Sequence, residues 1–241
     1  MDVTGLIGFG AVTPAAGGGN GLLTNLTSYW KLDEASGDAV DAHGSNTLTD
    51  TNTVGSGTGL VYGTVRDFER DNSEYFSITS NASLVVGSTS CSWAAWVKLE
   101  SDASSATIFS KWDNSNGGYS LRWNSYTFLA EFNSTSGFGG YTTLATSADF
   151  VQATWYFVAL TYENGVGLSL SVNAGTPVTT SYTGAVYDNS YAFEIGRQAG
   201  TGRYWDGLLG PAMFWKGRVL TSGDLTLLYN SGNGKLYSDF S

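Results

Sequence analysis

Aromatic residues are the side chains of this sequence whose types and spacing indicate binding chemistry, since Phe, Trp and Tyr make up 14% of its 241 residues. Several lie in segments rich in Asn, Ser and Gly, such as residues 112–116. Sugars stack an apolar ring face on an aromatic side chain while polar groups bind their hydroxyls. Packing beneath loops, or a protein interface, stays open as an alternative. The predicted glycan site comprises Trp112, Asn114, Asn116, Tyr141, Arg203, Tyr204 and Trp205.

Carboxylates are poorly arranged for hydrolysis of a glycosidic bond. That reaction needs two carboxyl groups about 5 to 10 Å apart, which residues two apart on one strand face would supply. No Glu-x-Asp-x-Glu pattern occurs, and Glu131, Glu163 and Glu194 are isolated along the chain. We interpret these three as solvated rim carboxylates and expect no enzymatic activity.

The single histidine, His43, and the single cysteine, Cys91, exclude most metal and nucleophile chemistry. Zinc needs about four nitrogen or sulfur ligands, and a catalytic histidine needs partners that orient it. His43 lies in a Gly, Ser and Asn loop and is expected at the surface. Cys91 begins an apolar run, so we expect a buried thiol and no internal disulfide.

The charge balance also excludes classes of partner. The formal net charge is −10, with only 11 Lys and Arg, so no basic stripe is present to neutralise phosphates. No apolar run approaches the roughly 18 residues of a membrane span. We therefore expect neither nucleic-acid binding nor membrane insertion.

Strands, recognised by alternating side-chain character, must position any such site. Residues 155–162 are apolar on both faces of an extended chain, and residues 168–173 alternate Leu or Val with Ser or Asn, with Asn164-Gly165 between them. Asn-Gly favours a tight hairpin turn. About ten further short runs read as strands, and a capping pattern at Thr221 and Asp224 predicts one late helix. The prediction is an all-β, two-sheet antiparallel sandwich with one short C-terminal helix.

Residues 1–21 form a segment distinct from the predicted domain of residues 22–241. The first half of the segment is apolar, and the segment ends in Gly-Gly-Gly-Asn-Gly. It has no Lys or Arg, so a secretory signal is not expected. Apolar side chains of this kind favour an arm that docks on a partner, with strand addition as one mode. The docking residues are Leu6, Ile7, Phe9 and Val12.

Seven blocks of residues from 29 to 232, taken in order, resemble laminin-G-like domains of the concanavalin A-like lectin/glucanase jelly-roll superfamily. They include YWKLDEASGDAVDAHGSNTLT, DFERDNSEYFSIT, SWAAWVKL, FEIGR and DGLLGPAMFWKGRVLTSGDLTLLYNSG. The resemblance implies a jelly-roll sandwich. It specifies no function, since that fold hosts lectins, glycosidases, adhesion modules and structural proteins.

The resemblance also implies calcium, which this superfamily often binds through several oxygen ligands. Two departures weaken that implication: Gly210-Pro211 stands where the family usually has an Asp, and Asn173-Ala174-Gly175 replaces an Asp-Gly turn. Asp41 with Asn46 is the remaining candidate pair, although both are also ordinary turn formers. A structural calcium ion is thus the one cofactor considered.

The arm, the acidic disulfide-free domain and the C-terminal LYNSGNGKLYSDF look similar to laminin-G-like proteins of bacteriophage particles. The first hypothesis is a non-enzymatic virion surface protein, such as a head decoration or tail component, which contacts other virion proteins through its arm and binds glycans. The alternative is a carbohydrate-binding lectin module that is soluble, extracellular or on a cell surface. A glycosidase is the third and least favoured.

Overall fold

The computed structural model describes residues 21–101, 104–112, 117–137, 139–147 and 149–241. Chain order within these ranges gives the strands β1 (Leu26–Trp30), β2 (Thr49–Thr51), β3 (Gly55–Thr58), β4 (Thr64–Phe68), β5 (Tyr75–Ile78), β6 (Cys91–Leu99), β7 (Ala106–Lys111), β8 (Tyr119–Asn124), β9 (Thr127–Asn133), β10 (Tyr141–Ala145), β11 (Tyr156–Glu163), β12 (Gly167–Val172), β13 (Val178–Ser181), β14 (Phe193–Ile195) and β15 (Gly207–Lys216). The helix α1 (Ser222–Tyr229) follows, and short 3-10 turns cover Arg70–Asn72, Asn230–Gly232 and Tyr237–Phe240.

Two antiparallel sheets face each other. The eight-stranded sheet has the order β13-β12-β11-β6-β15-β4-β3, with β1 also paired to β15, and the seven-stranded sheet has the order β10-β9-β8-β7-β14-β5-β2. Each sheet joins strands that are distant in sequence, such as β6 with β15. This arrangement confirms the predicted jelly-roll sandwich with one short C-terminal helix.

The main core fills the space between the sheets. Trp93 on β6 lies at its centre, with ring centroids 4.7 Å from Tyr119 and 5.2 Å from Phe214. Alternate residues of each strand supply the rest, including Val158 and Leu160 on β11. Cys91 is fully buried here and free, as predicted.

A second core covers the outer face of the eight-stranded sheet. Trp96, Phe157 and Trp215 point away from the main core and pack beneath Leu225 and Leu228 of the helix. Leu22 and Phe240, near the two ends of the described chain, join this layer; the Trp215 Nε1 donates to the Leu22 carbonyl at 2.7 Å. The cover explains why β6 and β11 are apolar on both faces.

The helix begins as its sequence predicts. Thr221 is the N-cap, and its hydroxyl accepts from the Asp224 N–H while the Asp224 carboxylate accepts from the Thr221 N–H, which completes a capping box. Such a cap satisfies donors that have no partner within the helix. No helix among the described residues has the length and apolar character needed to cross a membrane.

Gly210-Pro211, where the resemblance leads one to expect an Asp, lies at an irregularity in β15. The pairing register between β15 and β6 shifts between Leu209 and Ala212. Proline cannot donate to a sheet ladder and is tolerated at such bulges. A Cβ atom on Gly210 would lie 3.3 Å from the Trp96 Cβ, so the absence of a side chain there permits close packing.

Asp67 lies in an acidic cluster beside β15. One of its carboxylate oxygens is buried without a hydrogen-bond partner. Burial, together with the nearby carboxylates of Glu100, Glu69, Glu74 and Asp206, raises the pKa of Asp67 to about 6. The ionised form is therefore disfavoured in the folded state, and stability contributed by protonation should increase as the pH falls from about 6 toward the ordinary value near 4.

Asp67→Asn is expected to raise the free energy of unfolding at pH 7 by about 1 kcal/mol, a figure reduced because the side chain is partly exposed. The gain should shrink at pH 4, where Asp67 of the native chain is protonated. Urea unfolding at both pH values measures it. Asp71→Asn removes the same charge from an exposed position and serves as control; equal gains in the two variants would contradict the assignment.

Candidate functional site

The outer face of the seven-stranded sheet carries a row of polar residues at matching register positions. Glu131 pairs with Ser120, Ser120 with Ser110, and Ser110 with Glu194. Ser77 follows Glu194 in the same row. Alternate residues of these strands face the main core, so these side chains face away from it.

Glu131 organises one end of this row. Its carboxylate accepts from the Ser120 hydroxyl at 2.8 Å, from the Arg122 Nη2 at 2.8 Å and from the Tyr141 hydroxyl at 2.5 Å. The Arg203 Nη1 lies 3.6 Å away. Burial alone would raise the pKa of Glu131, but these hydrogen bonds and the Arg122 charge outweigh it and lower that pKa.

Tyr141 and Trp112 meet beside Glu131. The Tyr141 side chain is 43% exposed, whereas Trp112 is 3% exposed and meets the Tyr141 ring edge-on, with centroids 5.7 Å apart. Burial and the Glu131 hydrogen bond raise the pKa of Tyr141, so its hydroxyl stays protonated and donating. Tyr141 thus presents a held, exposed ring, and Trp112 supports it from the side.

A segment after β14 covers the other end of the row. The Arg197 Nε donates to Glu194 at 3.0 Å, and the Arg197 guanidinium lies 3.6 Å from the Tyr75 ring centroid. Burial would lower the pKa of Arg197, but the hydrogen bond and charge of Glu194 raise it. Tyr204 lies against Tyr75, with centroids 6.3 Å apart. Glu194 is thus buried and ion-paired with Arg197, which in turn packs on the Tyr75 ring.

Arg203 connects this segment to Glu131. Its Nη1 also donates to Gln198 at 2.9 Å, and its side chain is 33% exposed. Its backbone carbonyl accepts from the Thr107 N–H at 3.1 Å. Arg203 therefore has a fixed backbone while part of its guanidinium remains open to solvent.

Two buried polar atoms near Arg203 have no hydrogen-bond partner. They are the Thr107 Oγ1 and the Arg122 Nε, and the two residues are register partners on β7 and β8. An unmatched buried polar group costs about 1 to 3 kcal/mol, and a water or a ligand hydroxyl can satisfy it. Both atoms are inaccessible from the surface, with Thr107 0% and Arg122 7% exposed, so they belong to the interior side of this face.

The structure brings four of the predicted glycan residues to this face: Trp112, Tyr141, Arg203 and Tyr204. The prediction was wrong for Trp205, which is fully buried in the main core. Successive side chains of an extended segment point to opposite sides, so Trp205 faces the core and Tyr204 faces away from it. Asn114 and Asn116 lie outside the described residues, as do the predicted docking residues Leu6, Ile7, Phe9 and Val12.

Asp41, the carboxylate of the predicted calcium pair, accepts hydrogen bonds from backbone N–H groups. The Asp41 Oδ1 accepts from the N–H groups of Tyr29, His43 and Gly44, and its Oδ2 accepts from that of Asn46. A carboxylate that accepts four backbone N–H groups offers little to a cation, so Asp41 does not fit a calcium ligand. In the part of the chain described, no group of three or more His, Cys, Asp or Glu side chains could hold a metal ion.

Asn46 is engaged in the same way. Its Nδ2 donates to the Ser28 hydroxyl at 2.8 Å, and its Oδ1 accepts from Asn81 and Ser83. His43 is exposed, as predicted, and its Nδ1 lies 3.0 Å from the Tyr237 hydroxyl. The loop is a hydrogen-bonded unit, and calcium binding stays a prediction from the resemblance alone.

Glu131 and Glu194 correct the prediction of solvated rim carboxylates, because they are only 3% and 2% exposed. Sequence reasoning also missed Arg122, Thr107 and Arg197 as members of the face. The signal was present in β8 and β9, where Ser120, Arg122 and Asn124, and then Glu131 and Asn133, recur at every second residue. Glu163 is exposed, as predicted.

Comparison with known proteins supports the fold. The family described as the concanavalin A-like lectin/glucanases superfamily, of the laminin G type, matches residues 70–226. No curated protein sequence matches the chain.

Several solved structures are similar. The binding domain of Paraclostridial Mosquitocidal Protein 1 is 13% identical with a TM-score of 0.73, over 88% of this chain and 53% of that one. Domain 4 of AbnA, a GH43 extracellular arabinanase from Geobacillus stearothermophilus, in complex with arabinotriose, is 19% identical with a TM-score of 0.65, over 84% and 97%.

The ligand binding domain of botulinum neurotoxin serotype D, in complex with N-acetylneuraminic acid, is 13% identical with a TM-score of 0.66, over 86% of this chain and 51% of that one. The chain thus spans about half the length of the two toxin domains. At these identities the likeness shows a shared fold.

Proposed function

The chain belongs to the concanavalin A-like lectin/glucanases superfamily, and from this premise we propose that it is a non-enzymatic glycan-binding module. The ligand binds on the outer face of the seven-stranded sheet, at Tyr141 and Arg203, and the buried Trp112 supports the Tyr141 ring. The exposed Tyr141 ring, held by Glu131 at 2.5 Å, is the observation that carries this proposal.

The chemistry of the face suits a sugar. An apolar ring face stacks on Tyr141, and the ring hydroxyls reach the exposed part of the Arg203 guanidinium. The solved complexes of similar fold with arabinotriose and with N-acetylneuraminic acid are further support.

The two buried glutamates of the face support binding without hydrolysis. Three strand spacings separate Glu131 on β9 from Glu194 on β14, which is roughly 14 Å at about 4.8 Å per spacing. A glycosidase pair lies about 5 to 10 Å apart. Each glutamate is also ion-paired with an arginine and is at most 3% exposed, which limits the access of a substrate to its carboxylate.

Tyr141→Ala is expected to reduce binding to the best ligand of a glycan array at least tenfold, a loss of about 1.4 kcal/mol, because the stacking ring is removed. Tyr126→Ala is the matched control, since Tyr126 is 45% exposed and lies at the hairpin between β8 and β9. Tyr141→Phe keeps the ring and should retain most binding. Equal binding by Tyr141→Ala and the native chain would refute the proposed site.

We also propose that the protein lies on the surface of a bacteriophage particle, where residues 1–21 dock on other virion proteins. It is supported by the resemblance and by the apolar residues Leu6, Ile7, Phe9 and Val12. An extracellular or cell-surface lectin is the alternative location.

Deletion of residues 1–20 should abolish association with the particle while leaving the circular-dichroism spectrum of the domain unchanged. The deleted residues precede Leu22, the first of the described residues that belong to the second core, so the fold is expected to survive. Particle association equal to that of the full chain would contradict the virion role without affecting the glycan proposal.

A further inference from the structure

The outer face of the eight-stranded sheet bears a groove that no predicted site residue lines. Its volume is about 510 Å³. Its floor consists of outward-facing residues of three neighbouring strands, Thr161 on β11, Ser169 on β12 and Thr179 on β13. One wall consists of Val219 and Leu220, and β13 lies at the edge of the sheet.

The groove begins where the second core ends. Leu22, Leu220, Leu225, Leu228 and Phe240 cover β1, β15, β6 and the first part of β11. Beyond Leu220, on the same face of the sheet, Ser169 is partly exposed and Thr179 is exposed. The cover is thus made by segments near both ends of the described chain and stops at the groove.

Gly21, the first described residue, lies beside this groove. Arg218 donates from its Nη1 to the carbonyls of Gly21 and Thr24, and from its Nη2 to Asp224 at 2.7 Å. The two residues after Arg218 are the groove wall. Gly21 is therefore held next to the groove, at the point where residues 1–20 join the described chain.

The spacing and composition of the segment match the groove. Nine residues separate Val12 from Gly21, which can span up to roughly 30 Å when extended. Leu6, Ile7, Phe9 and Val12 are apolar, and the groove offers Val166, Val219 and Leu220 as apolar contacts. An extended segment can also pair with the free edge of β13, since backbone bonds at a sheet edge are sequence-tolerant.

We propose that residues 6–12 of the same chain occupy this groove along β13 in the free protein. The segment then continues the cover of the second core across β11, β12 and β13. This inference does not rest on the glycan proposal, because the groove lies on the opposite sheet. On a particle, the segment would leave the groove to reach a neighbouring protein.

Disulfide trapping in the full chain tests the proposal. Phe9→Cys is combined either with Thr179→Cys in the groove or with Thr143→Cys, which is an exposed threonine on β10, the edge strand of the other sheet. Cys91 does not compete, because burial raises the pKa of its thiol. Under the same mild oxidation, Phe9→Cys with Thr179→Cys should give at least tenfold more intramolecular disulfide in the monomer.

Equal yields from the two pairs would overturn the proposal, as would a disulfide that links two chains instead of closing within one. Hydrogen exchange gives a second readout that needs no added cysteine. Ile7→Ser with Phe9→Ser should speed exchange of the β13 amides at least tenfold, while those of β10 stay unchanged. Unchanged exchange at β13 would equally overturn it.

Discussion

Leu170→Asp is expected to unfold the domain. Leu170 is 1% exposed on β12, where it pairs with Leu160 on one side and Val178 on the other. An unpaired carboxylate in that position loses its hydration without gaining a partner, which costs several kcal/mol. A change above about 4 kcal/mol would consume most of the stability of a typical domain. Circular dichroism and thermal unfolding measure the loss.

Thr143→Asp is the control for that variant. Thr143 lies on β10, the edge strand of the other sheet, and is exposed. The same charge there should change stability by less than about 1 kcal/mol. Cooperative unfolding of Leu170→Asp near the native midpoint would contradict the assignment of β12 to the main core.

Glu131→Gln is expected to lower the free energy of unfolding by about 3 kcal/mol. The change leaves the Arg122 guanidinium, whose side chain is 9% exposed, without its carboxylate partner, and breaking a buried pair from one side is strongly destabilising. Urea unfolding measures the difference. Glu163→Gln removes the same charge from an exposed position and should be neutral.

The pH dependence of the free energy of unfolding gives a second readout for Glu131. Since the folded state lowers the pKa of this carboxyl group, its stabilisation is present above the ordinary value near 4.5 and is lost as the pH falls through the folded value. The difference in the free energy of unfolding between the native chain and Glu131→Gln should therefore become smaller in acid. A difference independent of pH would show that charge pairing is not the cause.

The sandwich was predictable because its strongest signals are local. Residues 155–162 are apolar on both faces, and the structure covers β11 on both sides. The Asn164-Gly165 turn and the Thr221 cap also follow from local chemistry. Two short strands, β2 and β3, escaped prediction because Thr, Asp and Gly over three or four residues carry no alternation of apolar side chains.

The hairpin between β8 and β9 shows a different limit. The β propensity of tyrosine favours a strand at Tyr126, yet Ser125 and Tyr126 form the turn, with φ of 47° and 70°. A bulky residue rarely adopts positive φ, so propensity favours the wrong structure there. Pairing of Trp123 with Phe128 around the turn determines the backbone instead.

The candidate site was only partly predictable for a topological reason. Its aromatic members stand out in polar loops, but Glu131, Ser110 and Glu194 become neighbours only through strand register. Each looks isolated along the chain, so the solvated-carboxylate interpretation was reasonable and wrong. Trp205 failed for the opposite reason, since one residue decides which side of an extended chain faces the core.

The positions of Gly21 and Phe240 have a practical consequence. Gly21 is held by Arg218, and Phe240 is buried in the second core, so both lie on the eight-stranded side of the sandwich. A protein or a surface that contacts the domain next to Gly21 or Phe240 would therefore meet the eight-stranded side. Tyr141 and Arg203 would face away from it, open to whatever is presented from the opposite direction.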